Sequence, residues 1–134
     1  MSKLDITQRH SANVTILDLS GKIQIGESSI NLRTSLRELM REDKKHILLN
    51  LSDISHIDSC GLGELVAGFV SAEKNGGELK LLNLTDRVSE LMMITKLLTV
   101  FEVYENEEEA VSSFQNISEN IELNQSAFAT GKPD

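Results

Sequence analysis

The chain has 134 residues, and its 13 Lys and Arg against 21 Asp and Glu leave a formal net charge of −8. That balance excludes broad binding to a phosphate backbone, which needs a surplus of cations to displace counterions. The length fits one domain. With four Phe, one Tyr and no Trp, the core has to be aliphatic. No apolar run approaches the roughly 18 residues of a membrane span, and the opening "MSKLDITQRH" lacks the apolar centre of a secretory leader. One cysteine cannot close an internal disulfide, so the expectation is a cytoplasmic, reducing setting with neither membrane nor nucleic acid as a direct partner.

In chain order, "LDITQRH" and "NVTILDLSG" read as two strands around the turn-forming "SAN", which predicts an antiparallel hairpin closed by Gly21. "KIQIGESS" leads to a helix with Leu32, Leu36, Leu39 and Met40 on one face and a start among Glu27, Ser28 and Ser29. The nearly continuous apolar run His46–Leu51 suits a strand covered on both faces. After it, "SDISHIDSCG" reads as a loop opening a helix near Gly61, whose buried stripe is Leu62, Leu65, Val66, Phe69 and Val70. "NGG" at Asn75–Gly77 ends that helix.

Glu78–Leu84 is a further strand. Thr85 or Asp86 caps a third helix with Val88, Leu91, Met92 and Thr95 on one side. Val100–Tyr104 is a short fifth strand. A last helix starts near Asn106, with Glu107, Glu108 and Glu109 favourably placed against its dipole and Ala110, Val111, Phe114 and Ile117 turned inward. From Ser118 the pattern fades, so residues 1–117 read as the domain and 118–134 as a disordered tail. The order is β-β-α-β-α-β-α-β-α: an α/β fold with a mixed sheet, an N-terminal antiparallel pair, then parallel units with right-handed crossovers. Such folds place functional turns beyond the carboxyl ends of their strands.

"HIDSCGLGEL" occupies one of those turns. Ser59 there has two uses on spacing alone. Its hydroxyl can cap free backbone N–H groups of the helix, or it can accept a phosphoryl group, whose charge of about −1.5 to −2 a helix N-terminus tolerates. Catalysis lacks its parts. A nucleophile elbow needs a Gly where Ile57 stands, and the base His should follow the Ser, whereas His10, His46 and His56 all precede it. Cys60 is a small packing residue or a redox-sensitive thiol at the helix start. No metal-spaced cluster accompanies it. Gly61 and Gly63 form part of a phosphate-loop pattern, but Val66 holds the third glycine position, so close packing or a smooth docking surface explains them better. Asp53 and Asp58 read as a solvated loop residue and a cap. No cofactor is implied.

With these elements in place, the chain resembles the STAS domain family, and within it the bacterial anti-sigma factor antagonists, over about residues 3–116. The resemblance is carried by "ILLNLSDISHIDSCGLGELV", "LSG", "NGGELKLLNL" and "TKLLTVFEVYENEEEAVSSF". It implies a non-enzymatic, STAS-like α/β fold and a partner switch. In the family the unphosphorylated antagonist binds an anti-sigma factor that is also a serine kinase and so frees a sigma factor. Phosphorylation of the Ser after the Asp of "DSxGLG" blocks this, and a PP2C-type serine phosphatase reverses it. By position the phosphoacceptor is Ser59. The partner-facing residues implied are Gln24, Asp58, Ser59, Cys60, Gly61, Leu62 and Gly63, and a homodimer stays open. Two positions depart from the family pattern: Gln24 stands where an Asp is common, and Glu27 falls near a common Thr. The alternative implied is a STAS scaffold or regulatory subunit of another assembly, such as a stress-sensing complex or a lipid transporter.

Overall fold

The buried side chains of the third strand alternate between two clusters, and this sorts the whole domain into layers. A computed structural model describes residues 3–114. It contains β1 (Leu4–Ser11), β2 (Val14–Ile23), α1 (Glu27–Arg41), β3 (His46–Ile57), α2 (Ser59–Lys74), β4 (Glu78–Leu82), α3 (Asp86–Ile94), a 3-10 turn (Leu97–Thr99) and β5 (Val103–Tyr104). A further helix, α4, runs through residues 107–114. The expected Ile117 and the tail lie outside the described residues.

The five strands form one sheet in the order β1-β2-β3-β4-β5. The β1–β2 pair is antiparallel and the others are parallel. Ile47, Leu49 and Leu51 of β3 pack with α1, α2 and α3 residues such as Leu36, Leu65 and Met92. Leu48 points the other way, into a cluster with Val14, Ile16, Leu82 and the α4 residues Ala110, Val111 and Phe114. Successive side chains of a strand face opposite sides, so α1–α3 cover one face and α4 the other. The mixed α/β sheet expected from the sequence is the architecture found.

Four local expectations are corrected. The strand begun at His46 does not stop at Leu51 but continues to Ile57, where a loop was expected. Its pairing with β2 slips twice, between Asp18/Ser20 and between Gly21/Lys22, each time giving β3 one extra residue. Two bulges therefore space the buried positions as Leu51, Ile54 and Ile57, which hides the period of two. In α2 the buried stripe is Gly61, Leu62, Leu65, Gly68 and Ala72, while Val70 is exposed. The reason is Gly68: a Cβ there would come within 2.7 Å of Leu36 Cδ1, so the close approach of α1 sets the rotation of α2. Thr95 is exposed at the C-terminus of α3, where its hydroxyl donates to Leu91 O (2.8 Å). The fifth strand shrinks to Val103–Tyr104, because Leu97–Thr99 coils and Val100 turns outward.

On the α4 side, Lys80 of β4 is almost fully buried. Its Nζ donates to Ser113 Oγ (2.8 Å), meets Glu102 Oε1 at 3.1 Å and lies 4.7 Å from the centre of the Phe114 ring. A buried ammonium of this kind needs such partners, and here they fasten α4 to the sheet. Near it, the buried His46 Nδ1 has no hydrogen-bond partner among the described residues, while the ring packs edge-on to Phe114.

Candidate functional site: the turn from strand three into helix two

The site is built on Asp58. β3 ends at Ile57, buried in the core, and α2 starts at Ser59. Asp58 between them has an extended backbone, with φ −109° and ψ −174°, as an N-cap residue requires. Its Oδ1 accepts the Gly61 N–H (2.9 Å) and its Oδ2 accepts the Ile25 N–H (2.9 Å). Its own N–H donates to Ile23 O (3.2 Å). One side chain thus caps α2 and ties it to the β2–α1 loop. Partial burial pushes the Asp58 carboxyl up, but backbone N–H donors of Ile25, Gly61 and Cys60, together with His56, outweigh it and hold the group below the ordinary carboxylate range.

Because Asp58 is the cap, the capping use open to Ser59 is already filled. Ser59 is the first residue of α2 and is exposed, and its hydroxyl has no hydrogen-bond partner among the described residues. Cys60 is exposed beside it. Gly61 and Leu62 turn inward. A Cβ on Gly61 would strike the Ile23 carbonyl oxygen and come within 2.8 Å of Ile23 Cγ2 and Ile57 Cγ1, so only glycine lets α2 start this close to β2. Leu62 is 5% exposed. Gly63 returns to the surface, where a Cβ would meet nothing within 4 Å. Of the residues singled out in the sequence, Ser59, Cys60 and Gly63 present the outer face, while Asp58, Gly61 and Leu62 hold it in place.

Gln24 is brought to the same place from a distant part of the chain and is half-buried. Its N–H donates to Ser28 Oγ (2.8 Å), and the Ser28 hydroxyl donates back to Gln24 O (3.0 Å). The Ser29 hydroxyl donates to Gly26 O (3.0 Å). The two buried serines are therefore internal braces of the loop rather than caps exposed to water. Gly26, at φ 111°, occupies a conformation that favours glycine.

Two features of this surface were missed in the sequence. Ile25 is 73% exposed. In "KIQIG" it looks like the next inward residue after Ile23, but β2 ends at Ile23. Between α1 and α2 runs a groove of about 420 Å³, lined by Arg33, Arg37, Met40, Gly63 and Ala67 among others. Arg33 crosses it to Glu64, with Nη2 to Oε2 at 2.6 Å. Among the described residues, no group of three or more His, Cys, Asp or Glu side chains could hold a metal ion, and no helix is long and apolar enough to cross a membrane.

Comparison with known proteins agrees with this geometry. The model of the STAS domain matches residues 5–110. The chain is 26% identical over 115 residues to the anti-sigma F factor antagonist of Paenibacillus polymyxa, covering 86% of this chain and 98% of that protein. It is 31% identical over 100 residues to the anti-sigma-B factor antagonist of Bacillus subtilis, covering 75% of this chain and 90% of that one. The Bacillus anti-sigma factor antagonist SpoIIAA shares the fold. Its unphosphorylated structure superposes with a TM-score of 0.64 at 17% identity, covering 83% of this chain and 98% of that one. Its phosphorylated structure gives 0.66 at 18%, covering 81% and 98%. With the sheet order, the capped turn and these relatives together, the chain belongs to the STAS domain family, among its anti-sigma factor antagonists.

Proposed function

We propose that this protein is a cytoplasmic partner switch controlled by phosphorylation of Ser59. In the unphosphorylated form the surface around Ser59, Cys60, Gly63 and Gln24 binds an anti-sigma factor that is also a serine kinase, and a sigma factor is released. The kinase transfers the γ-phosphoryl group of ATP to Ser59 Oγ, and binding is lost. A PP2C-type serine phosphatase hydrolyses the phosphoester and restores it. The protein itself catalyses neither step.

The observation that carries this reading is the division of labour at the turn. Asp58 caps the helix and binds the loop, so Ser59 is exposed without a structural duty. A phosphate there adds about −1.5 to −2 charges. The positive end of the α2 dipole moderates the cost to the fold, whereas Asp58, held ionised next door, gives the charge no cation to neutralise it. The charge is therefore felt by whatever docks on the surface. A protein of the same fold, SpoIIAA, has been solved in a phosphorylated form, which supports this reading.

The test is incubation with ATP and a candidate serine-kinase anti-sigma factor from the same organism, followed by mass-spectrometric mapping. Modification at Ser59, absent in Ser59→Ala, is expected. Quantitative modification elsewhere, or none in the presence of an active kinase, contradicts the reading.

A further inference from the structure

Six large apolar side chains are exposed among the described residues, and they are not scattered evenly. Ile25 (73%) and Ile30 (50%) lie on the β2–α1 loop and the start of α1; Met93 (62%) and Ile94 (71%) lie at the end of α3. Single exposed apolar residues are ordinary, but grouped ones mark interaction sites. Both groups border the turn that carries Ser59. Ile25 is bonded through its N–H to Asp58, the residue before Ser59. Ile94 shares a cavity of about 200 Å³ with His56 and Ile57, the two residues before Asp58.

The loop that presents Ile25 is not free to fold it away. Besides the bond to Asp58, the Gln24 N–H is held by Ser28 Oγ, the Ser29 N–H by Gln24 O (3.2 Å) and the Ile30 N–H by Gly26 O (3.1 Å). An apolar side chain kept in water on a braced loop loses little conformational freedom on binding, which raises what its burial contributes to affinity. Ile94 follows Arg87, Glu90 and Leu91 along one stripe of α3 that lines the cavity against β3.

We infer that Ile25 and Ile94 are the two apolar anchors that bracket Ser59 in the complex, and that the partner's contact surface carries an apolar recess on each side of the position facing Ser59. The occupant is the anti-sigma factor, because both side chains adjoin the turn that carries Ser59, Ile25 through its bond to Asp58 and Ile94 through the cavity it shares with His56 and Ile57; this rests on the function proposed above. The bracket also makes binding sensitive to charge at Ser59. A phosphate placed between two apolar contacts must be desolvated together with them, and a charge without a partner is costly to bury.

The experiment measures affinity by titration calorimetry for the same anti-sigma factor with wild type, Ile25→Asn, Ile94→Asn, Ser59→Asp and Val70→Asn. Val70 is an exposed apolar residue on the middle of α2 and serves as the control for a general loss of hydrophobicity. Thermal unfolding of each variant reports on folding. The expected result is a loss of at least tenfold for Ile25→Asn and for Ile94→Asn at unchanged melting temperature, with Val70→Asn like wild type. Binding within twofold of wild type for either Ile variant, while Ser59→Asp loses affinity, overturns this inference and leaves the switch standing. If the wild type does not bind, both fall.

Discussion

The Ile25 N–H donates to Asp58 Oδ2 at 2.9 Å across 33 residues of sequence, and the other oxygen of the same carboxylate accepts the Gly61 N–H at 2.9 Å. The Asp of "DSCGLG" is thus a joint between two segments of the proposed docking surface, and its chemistry leaves the neighbouring hydroxyl exposed. A regulator needs this separation. The residue that is modified must not be one that the fold depends on.

Asp58→Ala removes both acceptors and is expected to lower stability by about 0.5–2 kcal/mol, the range for loss of an N-cap. Asp58→Asn keeps one carbonyl acceptor and falls between it and wild type. Urea midpoints give the order. Hydrogen exchange at the Ile25 amide is expected to quicken in both variants, since its acceptor is lost or weakened. The carboxyl is held below its ordinary value of 3.8 in the fold. Its contribution is therefore complete above about pH 4 and is lost as pH falls through the lower folded value. The Ile25 amide loses its extra protection over that same acid window.

Gly61 and Gly63 are expected to respond in opposite ways. Gly61→Ala forces a Cβ against the Ile23 carbonyl and the side chains of Ile23 and Ile57, and overpacking of this kind costs about 1–3 kcal/mol. Gly63→Ala meets nothing and sits inside α2, so stability should rise by about 0.5–1 kcal/mol. Its affinity for the anti-sigma factor should fall, because the added methyl stands on the proposed docking face one turn from Ser59. A Gly63→Ala protein that is both more stable and equally tight would remove Gly63 from that face.

His46 gives the fold a second pH dependence, far along β3 from Ser59. Burial, with the charges of Lys45 and Lys80, holds its imidazole below the ordinary 6.5. The unfolded chain then takes up the proton first as pH drops. Stability is full above about pH 6.5 and declines below it until the folded imidazole also protonates. His46→Gln should flatten that part of the stability profile measured by urea unfolding. An unchanged slope in the variant would assign the dependence to other groups.

The sequence reading is sound wherever one element packs with one uninterrupted period. The β1–β2 hairpin, a cap for α3 at Thr85 or Asp86, which the structure resolves as Thr85, and the order of elements along the chain follow from local pattern. It fails where a neighbour decides. The two bulges that stretch β3 exist only in its pairing with β2. The rotation that exposes Val70 comes from α1 closing on Gly68. At the site, "DSCGLG" is legible as a capped helix start, but which of Asp58 and Ser59 caps it depends on Ile25, a residue distant in sequence. Ile25 itself is hidden by the apparent alternation of "KIQIG", since nothing in that pentapeptide says that the strand ends at Ile23.

The central claim is that a phosphate on Ser59 alone separates this protein from its anti-sigma factor. The direct measurement is the dissociation constant of that complex for two preparations of the wild-type chain, one unmodified and one stoichiometrically phosphorylated on Ser59. Circular dichroism should show the same fold in both. The account predicts tight binding by the unmodified chain, a loss of at least a hundredfold on phosphorylation, and recovery after treatment with a PP2C-type phosphatase. Equal affinity of the two preparations would contradict it.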